Sequence, residues 1–238
     1  MESAQKKPLV VVRDLRKVYS LGDEQVVALK KINLEIMKGE ICLILGTSGS
    51  GKSTLLNQLA GMEKPTRGGV WIGGVPISQL QEEELAAFRQ EHLGFVFQSY
   101  NLLPALTATE NVAMPLLFHG VPRENREQAA MRMLKRVGLA HRLSHYPGQM
   151  SGGQQQRVGI ARAFIAHPSV VFADEPTGNL DTKTTIEIIG MIRSLAHRYG
   201  ETIILVTHDP ELTEYADRIV TLKDGEIISN VVKESQSS

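Results

Sequence analysis

Five apolar residues, Ile41 to Leu45, lead directly into Gly46-Thr-Ser-Gly-Ser-Gly-Lys-Ser53, and that turn opens the helical stretch Thr54 to Ala60. A short apolar strand, a glycine-rich turn and a helix in that order commit the chain to packing helices on a sheet. Further Val- and Ile-rich runs at Val10–Val12, Leu93–Phe97, Val170–Ala173, Ile203–Val206 and Ile219–Leu222 alternate with longer helical patterns. Several are apolar throughout, as in a sheet covered on both faces, so the fold class is α/β.

The turn fits G-x-x-x-x-G-K-[ST] in the strand-to-helix context that the motif requires. Glycines at 46, 49 and 51 free the backbone of Thr47, Ser48 and Ser50 to aim N–H groups inward at phosphate oxygens. The helix that follows, beginning around Thr54, presents its positive end to the same anion. Lys52 adds a mobile cation and Ser53 a hydroxyl suited to Mg²⁺. Kinases, GTPases, helicases and transport ATPases all share such a loop, so other residues must choose among them.

Two features narrow the choice. The strand ending at Ala173 is followed by Asp174 and Glu175, at the strand edge where α/β sheets bind ligands. Asp174 suits Mg²⁺, directly or through water. Glu175 suits polarising an attacking water, because phosphoryl transfer chiefly needs positioning and charge stabilisation. Met150-Ser-Gly-Gly-Gln154 is too polar and glycine-rich for a core, and it opens the helical stretch Val158 to Ala166 as a second anion-binding helix terminus.

With these motifs in chain order, the sequence resembles the ATP-hydrolysing subunits of ABC transporters, whose signature is Leu-Ser-Gly-Gly-Gln; Met150 replaces the leucine conservatively. The resemblance runs from about Leu9 to Ile228. It implies a RecA-like P-loop NTPase core with an antiparallel β subdomain and an inserted helical subdomain, core 1–98 and 166–238, insert 99–165. It also implies that Tyr19 stacks on adenine beside Val27, that the Q-loop Gln98 joins Ser53 and Asp174 at Mg²⁺, and that Asp181 is the D-loop aspartate. In the same way His208 becomes the switch histidine that senses the γ-phosphate, acting with Glu175 and Lys52 in ATP hydrolysis. Ser151, Gly152, Gly153 and Gln154 would cap an ATP held by a second copy of the chain, making the active form a homodimer.

Asn101-Leu-Leu-Pro104 and Thr109 to Leu117 resemble the subgroup serving lipoprotein-release, macrolide-export, antimicrobial-peptide-resistance and cell-division permeases. The expected partner is therefore an integral-membrane permease contacted through Ser99 to Leu106, with an extracytoplasmic or periplasmic adaptor as a further partner. The expected place is the cytoplasmic face of the membrane. A cell-division-type or regulatory ATPase that signals without transport is the alternative. An ABC ATPase acting on DNA or the ribosome would need coiled-coil arms or two cassettes, and neither is present in the sequence.

Composition agrees. Lys plus Arg and Asp plus Glu both number 26, so no overall excess of charge draws the chain to nucleic acid or anionic lipid, and such binding would need a local patch. No run reaches the roughly 20 apolar residues of a membrane span. The N-terminal stretch with Lys6, Lys7 and Pro8 lacks a secretory apolar run. Cys42, the single cysteine, sits in an apolar strand and reads as a buried structural thiol.

Local signals place several helices. Ser78 with Gln81 and Thr107 with Glu110 have capping-box spacing, Glu82 to Glu84 fit a first helical turn, and Asp209-Pro210 reads as a helix start. Thr107 to Val137 is expected to be helical and to stop at Gly138. His141 and His145 read as a solvated helix face rather than a zinc site. The polar tail after Val232 reads as dispensable.

Overall fold

The structure is a computed structural model that describes residues 8–22 and 24–233. The stretch carrying Lys6 and Lys7, and the tail beyond Lys233, lie outside the described residues. In chain order the elements are β1 (Pro8–Leu21), β2 (Glu24–Met37), β3 (Ile41–Leu45), α1 (Lys52–Leu59), β4 (Arg67–Ile72), α2 (Glu82–His92), β5 (Leu93–Phe97), α3 (Ala108–Phe118) and α4 (Arg123–Arg136). Then follow α5 (Gly152–Phe164), β6 (Val170–Asp174), α6 (Thr182–Tyr199), β7 (Thr202–Thr207), β8 (Arg218–Lys223) and β9 (Glu226–Val232). The described residues of Met1–Ala86 and Thr202–Ser238 cluster as one unit, and Ala87–Glu201 as the other.

In the first unit, β3 lies between β7 and β8 and runs parallel to both, while β9 adds antiparallel to β8. Every residue of β7 is buried, as are Ile41 to Ile44 of β3. The missing polar alternation is the reason: no face of these strands is left for water. Buried Cys42 belongs to this core, and burial pushes its thiol far above the ordinary range, which keeps it unreactive. A second sheet in the same unit pairs β1 antiparallel with β2 on one side and β4 on the other. At the start of β3 the buried pair Glu40 and Arg218 meets at 2.7 Å, and Glu40 also accepts the Met37 N–H. Asn230 takes another guanidinium proton at 2.9 Å, so these buried charges are hydrogen-bonded as well as paired.

In the second unit β5 and β6 pair in parallel, with the rings of Phe95 and Phe172 stacked across them at 5.7 Å. Helix α6 buries Ile188, Ile189, Ile192, Leu195 and Ala196, one stripe at helical spacing. Thr107 caps α3 by the expected reciprocal box with Glu110. The expected helix from Thr107 to Val137 is instead two: Gly120 takes a left-handed turn and Pro122 starts α4, after which Gly138 ends it with positive φ.

Three further local expectations shift. Ser78 does not cap a helix; it sits in a 3-10 turn, its hydroxyl accepting the Val70 N–H, because Leu80 is extended and delays α2 to Glu82. Gln81 supplies the N-terminal backbone, donating to the Glu84 carboxylate at 2.8 Å. Asp209 does cap Glu211, but the turn that it starts is 3-10. His141 and His145 lie in turns, with His145 Nε2 2.7 Å from Arg142, and the described residues contain no His/Cys/Asp/Glu cluster fit for a metal.

Glu201, between α6 and β7, is 4% exposed, and among the described residues its carboxylate oxygens make no hydrogen bond. His167 Nδ1 approaches one oxygen at 3.5 Å, and burial pushes the acid's pKa from 4.5 up to about 8. The folded chain thus favours the protonated acid, so this contribution is complete below pH 4.5 and drains away as pH climbs through 8. Glu201→Gln should match the wild type at the acid end and exceed it above that window by about 2 to 4 kcal/mol. Urea midpoints at both ends of the window measure the difference.

Candidate functional site

The phosphate loop is shaped by crowding. A Cβ on Gly46 would stand 2.4 Å from the Leu222 carbonyl oxygen, and one on Gly51 2.8 Å from that of Ala28. Gly51 also holds φ at 101°, which only glycine adopts cheaply, and is the N-cap of α1. The loop is braced by the Ser50 N–H on the Thr47 carbonyl and the Gly225 N–H on the Ser50 carbonyl. Thr47, Ser48 and Gly49 are exposed at its rim, while Ser50 is buried beneath. Lys52 is only 8% exposed, and its ammonium reaches back 3.0 Å to the Thr47 carbonyl. A cation, backbone N–H groups and a helix N-terminus therefore meet at one turn. Ser53 stands exposed in the first helical turn.

Tyr19, on β1, donates to the Glu63 carboxylate at 2.7 Å and has the Lys17 ammonium 5.0 Å from its ring centre. Burial, then the hydrogen bond to Glu63, raises its pKa. Its ring is thereby fixed beside the helix that the phosphate loop begins. Val26, not Val27, is its cross-strand partner; Val27 pairs with Val18 and so occupies the other face of the hairpin. His208 is exposed immediately after β7.

The second unit gathers the other motif residues. Asp174 ends β6 and Glu175 follows it, holding a left-handed φ of 44°, a strained conformation for a residue with a side chain. Buried Gln156 of α5 donates to the Pro176 carbonyl at 2.5 Å, tying this turn to α5. Gln98, after β5, exchanges hydrogen bonds with Asn179: its amide donates to Asn179 Oδ1 at 3.3 Å and its carbonyl accepts at 3.2 Å. Gly178 permits this, since a Cβ there would meet the Gln98 amide at 2.8 Å. Asn179 escapes sequence reasoning because its role depends on two loops 81 positions apart meeting.

Ser151 is the N-cap of α5, in a capping box with Gln154. Met150 beside it is buried, so the motif is anchored by one apolar side chain and exposes its polar part. Gly152 and Gly153 form the first turn; Cβ atoms there would meet the Tyr100 hydroxyl at 2.7 Å and Thr184 at 2.9 Å. Asp181 is the N-cap of α6, accepting from the Thr184 N–H and hydroxyl at 3.0 and 2.7 Å, and these bonds lower its pKa.

Two helix N-termini lined with glycine, one carrying a lysine, and a strand ending in adjacent acids are a nucleotide-handling set. The sequence profile of the ABC transporter family matches residues 29–178, from β2 through both motifs. The chain belongs to the ABC transporter family. As an ABC cassette it is an ATPase domain. It is 48% identical over 94% of its length to the macrolide export ATP-binding/permease protein MacB of Vibrio parahaemolyticus, although it spans only 34% of that protein. An uncharacterized ABC transporter ATP-binding protein of Thermotoga maritima is 48% identical, with 93% of this chain and 94% of that one covered. A dimeric ATP-binding cassette in a post-hydrolysis state with ADP and Pi superposes with a TM-score of 0.88 at 42% identity, covering 95% of this chain and 99% of the other.

The crowding at Gly46 makes a direct prediction for this cassette. Gly46→Ala must displace the Leu222 backbone or Ser50, and should cost about 1 to 3 kcal/mol by overpacking, with weaker ATP binding. Thermal melts and fluorescent-nucleotide titration measure both effects.

Proposed function

We propose that two copies of this cassette close over two ATP molecules and drive a membrane permease on which they sit, from the cytoplasmic face. The observation that carries the reading is the pairing, in one chain, of a phosphate loop bearing Lys52 with a separate glycine-opened helix start at Ser151. One copy supplies one of each. In this reading Gly46 to Thr54 bind the triphosphate, Tyr19 takes the adenine face, and Ser151, Gly152, Gly153 and Gln154 of the second copy close over the γ-phosphate. The dimeric relative bound to ADP and Pi supports that arrangement.

Glu175 orients and deprotonates the attacking water, Lys52 neutralises charge gathering on the transferred phosphoryl, and His208 contacts its oxygens. Asp181, held as the cap of α6, borders the second copy. Ser53, Gln98 and Asp174 offer the hard oxygen donors that suit Mg²⁺, which needs few protein ligands. When bound, the ion offsets charge on the phosphate oxygens.

The permease surface is the segment after Gln98. Buried Asn111 of α3 pins it: its Oδ1 accepts the Leu103 N–H, and its Nδ2 reaches the Leu103, Leu106 and Thr107 carbonyls at 3.0 to 3.1 Å. Leu103 is left exposed. Nearby, a cavity of about 280 Å³ is lined by Leu106, Ala113, Met114 and Leu117, with Glu110, Arg123 and Arg126 at its polar edge. An amphipathic helix of a membrane partner fits an apolar groove with charges at the rim. MacB, whose name couples ATP binding to a permease, supports a membrane permease as the partner.

Replacing Glu175 by Gln should lower steady-state ATP turnover by about 10²-fold or more and leave ATP affinity near wild type. Turnover within a few-fold of wild type would remove Glu175 from the base role. Lys52→Ala should weaken nucleotide affinity by about tenfold or more, as loss of a charge-assisted contact implies. Calorimetric titration with ATP reads that change.

A further inference from the structure

On the three-stranded sheet, β1 shifts register at four places against β2 and at one against β4, and the shifts against β2 on either side of Leu15 overlap the one against β4. Against β2 the register runs from Leu15–Ile32 to Lys17–Leu29, so Arg16 alone faces the two residues Lys30 and Lys31. Against β4 it runs from Arg13–Gly69 to Arg16–Arg67, so Asp14 and Leu15 face Gly68 alone. Such bulges re-aim side chains at the cost of ladder hydrogen bonds. Here they set Arg16 directly across from Arg67 and turn Lys30 and Lys31 into the same hollow, of about 360 Å³, whose fifth wall is Asp14.

The second bulge is strained as well as irregular. Asp14 holds φ at 46°, and Gly68, at φ 82°, is the only residue type that fits, since a Cβ would stand 2.3 Å from the Asp14 carbonyl oxygen. Asn33 secures the turn by accepting the Asp14 N–H at 2.9 Å. Charge makes the arrangement costlier still. Asp14 is engaged by Lys31 at 3.3 Å and Glu226 by Lys30 at 3.4 Å. Among the described residues Arg16 and Arg67 make no ion pair, and like charges directly opposite on neighbouring strands repel. In a chain of no net charge, two bulges that concentrate four cations around one acid need an explanation in function.

We propose that this hollow binds a phosphate-bearing ligand, a phosphate ester or pyrophosphate group taken between the paired guanidinium forks of Arg16 and Arg67 with Lys30 and Lys31 at its sides. The guanidinium fork matches phosphate oxygens two at a time, and lysine supplies charge without fixed geometry. The site is separate from the ATP loop and draws its residues from β1, β2 and β4 alone. Its ligand comes either from a soluble phosphorylated compound or from an anionic lipid headgroup.

The test uses the full chain with Lys52→Ala, so that the ATP loop does not dominate anion binding. Pyrophosphate without divalent ions is titrated by calorimetry, and flotation is measured with phosphatidylcholine vesicles with and without phosphatidic acid. Binding of pyrophosphate places the source in solution, and binding of the phosphatidic acid vesicles alone places it in lipid; either is expected to weaken tenfold or more on adding Arg16→Gln or Arg67→Gln and to survive Arg16→Lys. Without ligand, each Gln substitution should raise the melting temperature by about 1 to 3 °C as the repulsion is lifted. No binding of either probe, binding indifferent to both Gln substitutions, or a melting temperature lowered by both would overturn the assignment.

Discussion

A helix start binds phosphate only if its N–H groups are left unclaimed and no side chain fills the space before them. In this chain the condition is imposed from outside the loop. The Leu222 carbonyl of β8 leaves no room for a side chain on Gly46, and the Ala28 carbonyl of β2 leaves none on Gly51. The buried ladder of β3, β7 and β8 holds the first of those carbonyls in place. The α/β core is thus the frame that keeps the six residues between β3 and α1 in a conformation they would not hold alone, and Lys52, drawn back onto Thr47, completes it with charge.

The second unit meets the same requirement by other means. Ser151 and Asp181 are helix caps as well as motif residues, so the side chains proposed to act at ATP are positioned by the ordinary physics of helix ends. Glu175 is held differently, by a left-handed backbone angle and by the anchoring of the next turn through Gln156. Backbone strain at the carboxylate proposed as the base, stabilised by a buried amide one helix away, is the pattern of a residue whose position matters more than its local comfort.

Much of this was legible in the residues. The strands β3, β5, β6 and β7 announce themselves as short apolar runs, and both glycine motifs carry their own context. The long hairpin of β1 and β2 was legible only at Val10 to Val12, because beyond that point polar residues, three register shifts and an exposed face erase the period-two pattern. Strands β4 and β9 escaped for a related reason: Arg67-Gly-Gly is a poor strand opening, and β9 is an exposed edge. At the site, Lys52 and Glu175 follow from spacing, whereas Val26 across from Tyr19, and Asn179 on Gln98, depend on register and on loop encounters that no local signal encodes.

The central claim is that each ATP is completed by two copies of the chain, and a mixing experiment addresses it directly. One variant carries Lys52→Ala and the other Ser151→Arg, so that either alone assembles only defective sites. Their heterodimer contains one site built from the intact loop of one copy and the intact Ser151 of the other. The account predicts negligible ATP hydrolysis by each variant alone and clear hydrolysis once they are mixed. A mixture as silent as its components, or a Ser151→Arg protein as active as wild type by itself, would contradict it.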